Sequence, residues 1–128
     1  MTVIVTDTGF SADNWRQDFI AQGTLELPSD YDLAASGIDI DRIMGIRVAF
    51  PVFTNGRGFS LARSLRISGY SARLRAVGEI LPDQYAMMRR VGFDEIELTD
   101  EQAAKYPEEQ WLMRTNWTLH DYQQRLQP

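Results

Sequence analysis

The residues best suited to chemistry in this 128-residue chain lie in the turn Thr54-Asn55-Gly56-Arg57-Gly58 and at Ser60 just beyond it. Glycines let backbone N–H groups come close to a ligand, and a helix starting after them offers unpaired donors and the positive end of its dipole. Arg57 adds a planar fork of donors. With Thr54, Asn55 and Ser60, this is a candidate site for a small oxyanion or phosphate group. The same residues also suit a tight turn in which glycine serves only its dihedrals and the arginine pairs with a carboxylate.

A second turn of the same kind follows strand-like residues and gathers Arg75, Gly78, Glu79, Asp83 and Gln84. Glu79 and Asp83, one helical turn apart, could act as general base and acid if burial or an arginine tuned them. Both are equally suited to the start of a helix, where the dipole favours negative charge. Nucleotide fingerprints are absent. A G-x-G-x-x-G run beginning at Gly56 would need glycine where Leu61 stands, and the lone lysine, Lys105, is far from any phosphate-loop position.

There is no cysteine, which excludes disulfides, cysteine-ligated iron–sulfur clusters and thiol chemistry in this chain. With one histidine, His120, no dedicated zinc or haem site is expected, and no cofactor is evident. Asp30, Asp32, Asp39 and Asp41 invite a calcium reading. However, the loop glycine and final bidentate glutamate of that pattern are missing, so helix caps and solvated loop carboxylates are expected instead.

The elements that must position these turns follow from local signals. Residues 46–53 are a nearly continuous apolar run, the pattern of a parallel strand covered on both faces. Phe59 to Ile67 reads as a helix with Phe59, Ala62 and Leu65 along one face, ended by Gly69. Arg73 to Gly78 is the next strand. Pro82 opens a second helix with Leu81, Tyr85 and Met88 in a buried stripe, and Gly92 caps it before a strand at Glu95 to Leu98. Thr99 and Gln102 form a capping box for a short helix to about Lys105, which Pro107 ends.

On the N-terminal side, Thr2 to Thr6 and Thr24 to Leu27 read as two short strands expected to pair with each other, with a weak helix over Phe10 to Gln22 between them. A helical turn is expected within residues 29–36, and Asp39 should cap a short helix to Met44. The fold class expected is α/β: a small parallel β-sheet core of strand-helix-strand-helix-strand units, with a short N-terminal β appendage and an aromatic C-terminal tail. One domain spans residues 1–128, its core unit at residues 45–98. The tail carries Trp111, Trp117 and Tyr122, and must pack on the domain or on a second protein, for example as a homodimer.

With 44% hydrophobic residues and 24% charged, the chain should fold. No apolar run is long enough to span a bilayer and no signal peptide is seen, so a cytoplasmic protein without a membrane partner is expected. The net charge of -5 divides unevenly: residues 57–90 carry seven arginines against Glu79 and Asp83, net +5, and the remainder carries -10. Twelve of the thirteen basic residues are arginine, a bias suited to bidentate binding of oxyanions or carboxylates. The overall acidity argues against nucleic acid as a partner.

The segments FPVFTNGRGFSLARSLR and LRAVGEILPDQYAMMRRVGFDEIEL, between Phe50 and Leu98, closely resemble the bacterial family known as domain of unknown function 934. The family's Phe-Pro turn, its aromatic-Thr-x-Gly-Arg-Gly loop and its Leu-Arg-Ala-x-Gly-x-x-Leu-x-Asp-Gln run have counterparts at Phe50-Pro51, Phe53 to Gly58 and Leu74 to Gln84. Asn55 stands where members often have Asp, and Val91 where a Cys is frequent.

Members resemble proteins encoded beside sulfite reductase and labelled as oxidoreductases involved in sulfite reduction. The resemblance therefore implies a role in assimilatory sulfite or sulfate reduction, without established catalytic residues. Because no redox centre is evident in the residues, the expected role is an accessory one, as a small subunit or partner of sulfite reductase or its electron donor through the Arg-rich face. The alternative is an enzyme or sensor that binds sulfite or a phosphorylated metabolite at the 54–60 turn.

Overall fold

The computed structural model describes residues 2–15, 23–51 and 56–117. Its strands are β1 (Thr2–Thr6), β2 (Gly9–Ala12), β3 (Thr24–Pro28), β4 (Gly45–Phe50), β5 (Arg73–Gly78) and β6 (Glu95–Thr99). They form one six-stranded sheet in the order β2-β1-β6-β5-β4-β3. The described helices are α1 (Leu33–Ser36), α2 (Arg57–Ile67), α3 (Tyr85–Val91), α4 (Asp100–Lys105) and α5 (Glu108–Leu112).

The core unit is as expected: β4, β5 and β6 are parallel neighbours, joined through α2 and α3. The separate N-terminal appendage is corrected, and the one sheet that results is partly antiparallel. β1 does not pair with β3; it runs antiparallel between β6 and β2, while β3 joins β4 in parallel at the opposite edge. The reason lies in side-chain register. Val3 and Val5 are set beside Leu98 and Ile96, and Leu25 and Leu27 beside Ile46 and Val48, so each short strand extends the apolar face of the core unit. Phe10 to Ala12 belong to β2 rather than to a helix, Asp13 accepts from Trp15 N where helical backbone begins, and residues 16–22 of the expected helix lie outside the described residues.

One face of the sheet makes the core. Val5, Leu27, Ile46, Val48, Phe50, Leu74, Ala76, Ile96 and Leu98 meet Leu61, Ala62 and Leu65 of α2, Tyr85 and Met88 of α3, and Trp111 of α5. Phe50 lies edge-on to Phe59 and Phe93, with ring centroids 5.5 and 5.7 Å apart. Each fully buried side chain of this size contributes about 1.5–3 kcal/mol relative to exposure. The helix ends follow the sequence signals: Asp32 accepts from Ala35 N, Asp39 from Asp41 N, and Thr99 and Gln102 cap α4 reciprocally.

Arg66 fastens the end of α2 to its surroundings. Its guanidinium donates to the carbonyls of Gly92, Tyr70 and Ala72 and to Asp94.

The opposite face carries charge. Arg75 is wholly buried there, with Nε and Nη1 donating to Glu95 (2.6 Å) and Glu97 (2.8 Å) and its ring neighbour Trp15 4.6 Å away. Arg47 joins Glu26 and Glu97, and Arg73 joins Glu95. Asp13 closes the network by accepting from Arg75 Nη1 and Thr2 Oγ1.

The tail packs on the domain as far as it is described. Trp111 is fully buried, edge-on to Tyr85, and donates to Tyr106 O. Trp117 donates to both carboxylate oxygens of Asp7, and its carbonyl accepts from Arg90. Residues 118–128, including His120 and Tyr122, lie outside the described residues. Among the described residues, no helix is long and apolar enough to cross a membrane.

Candidate functional site

A cleft of about 860 Å³ opens beyond the carboxyl end of β3, between α2 and the segment leading from β3 into α1. One wall is α2, through Gly56, Arg57, Ser60, Leu61, Ser64 and Ser68. The other is Ser29 to Ala34. The strands determine this placement: β3 joins β4 in parallel, so the chain leaving β3 emerges at the same sheet end as the chain leaving β4 for α2. Tyr31 N donates to Pro28 O at 3.1 Å and Asp32 caps α1, so the second wall is built as a turn running into a helical cap.

Of the residues expected at the first turn, Gly56, Arg57 and Ser60 line this cleft. Thr54 and Asn55 lie outside the described residues. Gly58 is placed differently, because it is buried against the core: a Cβ there would lie 2.3 Å from the Phe50 ring. Its glycine is required by the close packing of α2 on β4. Gly56 has φ -70 and ψ -16, which any residue adopts, and an added Cβ would meet nothing described within 4 Å. Neither its dihedrals nor any described neighbour demands glycine at this position. α2 begins with no side-chain cap and no acidic residue in its first turn.

The residues expected at the second turn do not line the cleft. Gly78 has φ +123, and a Cβ there would fall 2.2 Å from Phe50 O, so glycine is required by the backbone itself. Glu79 N donates to Phe50 O, and the Gln102 side chain donates to Gly78 O. Gln84 accepts from Leu81 N, and Asp83 pairs with Arg114. Glu79 is exposed. This corner is therefore closed by the chain's own groups. Arg75 is not part of it: as a mid-strand residue of β5 it points to the charged sheet face, where its partners are Glu95, Glu97 and Asp13.

The groups shifted most from their ordinary range sit in internal networks. Burial pulls the Asp13 carboxyl upward, but hydrogen bonds from Thr2, the Trp15 backbone and Arg75 outweigh it and hold the group down at about 2. Burial pushes the Tyr70 hydroxyl up to about 12, with Arg66 opposing; that hydroxyl donates to Arg73 O. Burial and the Asp7 carboxylate, to which it donates, push Tyr85 higher still. Among the described residues there is no cluster of histidine and carboxylate side chains able to hold a metal ion.

The sequence did not point to the wall opposite Arg57. Asp30 and Asp32 read as loop carboxylates and caps, and Ser29 and Tyr31 carried no signal. The spacing of Ser60, Ser64 and Ser68, one helical turn each, could have marked the cleft side of α2.

No curated protein and no solved structure matches this chain. A sequence profile described as "Bacterial protein of unknown function (DUF934)" matches residues 24–127, a span that takes in both walls of the cleft, the closed second corner and the tail helices. By that match the chain belongs to the DUF934 family of bacterial proteins.

Proposed function

We propose that this protein binds a small anion, sulfite or the phosphate group of a metabolite, at the cleft beside Gly56, Arg57 and Ser60, and that it serves sulfite assimilation in doing so. The observation that carries the reading is the cleft itself. It lies at the carboxyl ends of parallel strands, where ligands of open sheets bind, and it is lined by an arginine and by the uncapped start of an eleven-residue helix. The link to sulfite rests on the family resemblance alone.

The test is thermal melting of the purified protein with sulfite and with inorganic phosphate. Arg57→Ala should leave the unliganded fold intact and abolish protection by the anion. Undiminished protection in that variant would reject Arg57 as the anchor.

Docking on sulfite reductase or its electron donor through an arginine-rich face is the second reading, and the geometry lends it less. In the window from Arg57 to Arg90, the guanidinium groups of Arg66, Arg73, Arg75, Arg89 and Arg90 turn on this chain's own carbonyls and carboxylates, and Arg57 is also engaged. Recovery of stoichiometric sulfite reductase with the tagged protein from its host's lysate, lost on Arg63→Glu, would restore that reading.

A further inference from the structure

We infer that the outer edge of β3 is a docking site for an extended, basic segment of another protein, which adds to the sheet as a further strand. This surface is separate from the cleft beside α2 and does not depend on the anion-binding reading.

The two edges of the sheet differ in how they are finished. At the β2 edge, Phe10 N donates to the Glu108 carboxylate at 2.7 Å and α5 packs alongside, so the outward amide there is already taken. β3 borders only β4. Gly45 N donates to Gly23 O, and strand backbone turns to alternate sides from one residue to the next, so Leu25 and Leu27 face β4 while Thr24, Glu26 and Pro28 turn outward. Proline has no N–H to give β4, and at this position none is asked of it. Among the described residues, the outward N–H groups of Thr24 and Glu26 have no strand to receive them.

The side chains set what an added strand must carry. Glu26 stands on the ionic face with its side chain 70% exposed, one carboxylate oxygen accepting from Arg47. It is the first of five exposed carboxylates between Thr24 and Asp41, followed by Asp30, Asp32, Asp39 and Asp41, in a stretch without lysine or arginine. Beside Glu26 on that face a groove of about 330 Å³ is lined by Pro28, Arg47, Ala49 and Val77, room for the aliphatic stem of one long side chain. On the opposite face Leu25 is only half-buried against the core.

The matching strand therefore alternates, with lysine or arginine on the side of Glu26 and a β-branched apolar residue on the side of Leu25. A second copy of this chain suits the edge less well. Antiparallel pairing of two β3 edges would set Glu26 and its acidic neighbours against their own copies.

The experiment is fluorescence anisotropy of the intact protein with a labelled hexapeptide of alternating lysine and valine. A peptide of alternating glutamate and valine should bind at least about tenfold more weakly, and so should the lysine–valine peptide methylated at every backbone nitrogen, which cannot donate to a sheet. Glu26→Lys should weaken the parent peptide to a similar degree. Thr24→Pro, which removes an outward N–H that β4 does not use, should do the same.

Equal binding of the methylated peptide would reduce the contact to charge attraction and overturn strand addition. Absence of binding at millimolar peptide overturns the site. A dimer by light scattering that is lost in Thr24→Pro assigns the edge to a second copy and overturns the basic partner.

Discussion

The two strand-to-helix corners of the core unit lie at the same end of the same sheet and look alike in sequence, yet they differ in what fills them. At the second corner Gly78 is held in a conformation only glycine tolerates, its carbonyl is taken by Gln102, and Gln84 and Asp83 are tied to Leu81 and Arg114. At the first, Gly58 is pressed against Phe50, but Gly56 and Arg57 face an open cleft. Glycine in such a corner thus has three distinct causes: a positive φ, a close packing contact, and neither of these. Only the third leaves room for a ligand.

Substitutions at these glycines should rank accordingly. Gly78→Ala should have the largest effect, a loss of about 3 kcal/mol or more by denaturant unfolding, because the added carbon meets the Phe50 backbone 2.2 Å away at a φ of +123. Gly58→Ala should cost about 1–2 kcal/mol: the clash with the Phe50 ring exceeds the gain in helix propensity. Gln102→Ala should cost about 1 kcal/mol through the lost reciprocal cap and the orphaned Gly78 carbonyl.

Gly56→Ala should be the smallest, within about 0.5 kcal/mol of zero, while weakening anion protection in a melting assay. A large destabilisation there would erase the distinction between the two corners.

Much of the core unit could be read from the chain alone because its signals are local. Thr99 and Gln102, Asp39, and Gly69 and Gly92 each act within a few residues, and β5 spans the residues expected of it, Arg73 to Gly78. The positions of β1 and β3 were not readable in this way. Which edge a five-residue strand joins depends on the apolar rows it meets there, and those belong to residues distant in sequence.

Half of the cleft was hidden for the same reason. Gly56 to Ser60 announce themselves, but Ser29 to Ala34 reach them only because β3 docks beside β4. Arg75 was misplaced where a signal did exist. Arg73-Leu74-Arg75-Ala76 and Glu95-Ile96-Glu97-Leu98 alternate with period two and carry opposite charges, which marks a sheet with one apolar and one ionic face.

The pairing of Thr2 with Thr99 also bears on how the molecule is made. β1 leaves the ribosome before the strand it lies against, which follows 97 residues later, about 5–20 s at ordinary rates of elongation. Until then the β1–β2 hairpin has one edge unmatched and little apolar surface to rest on. That edge of the β1–β2 hairpin therefore stays unpaired through synthesis until β6 has been made.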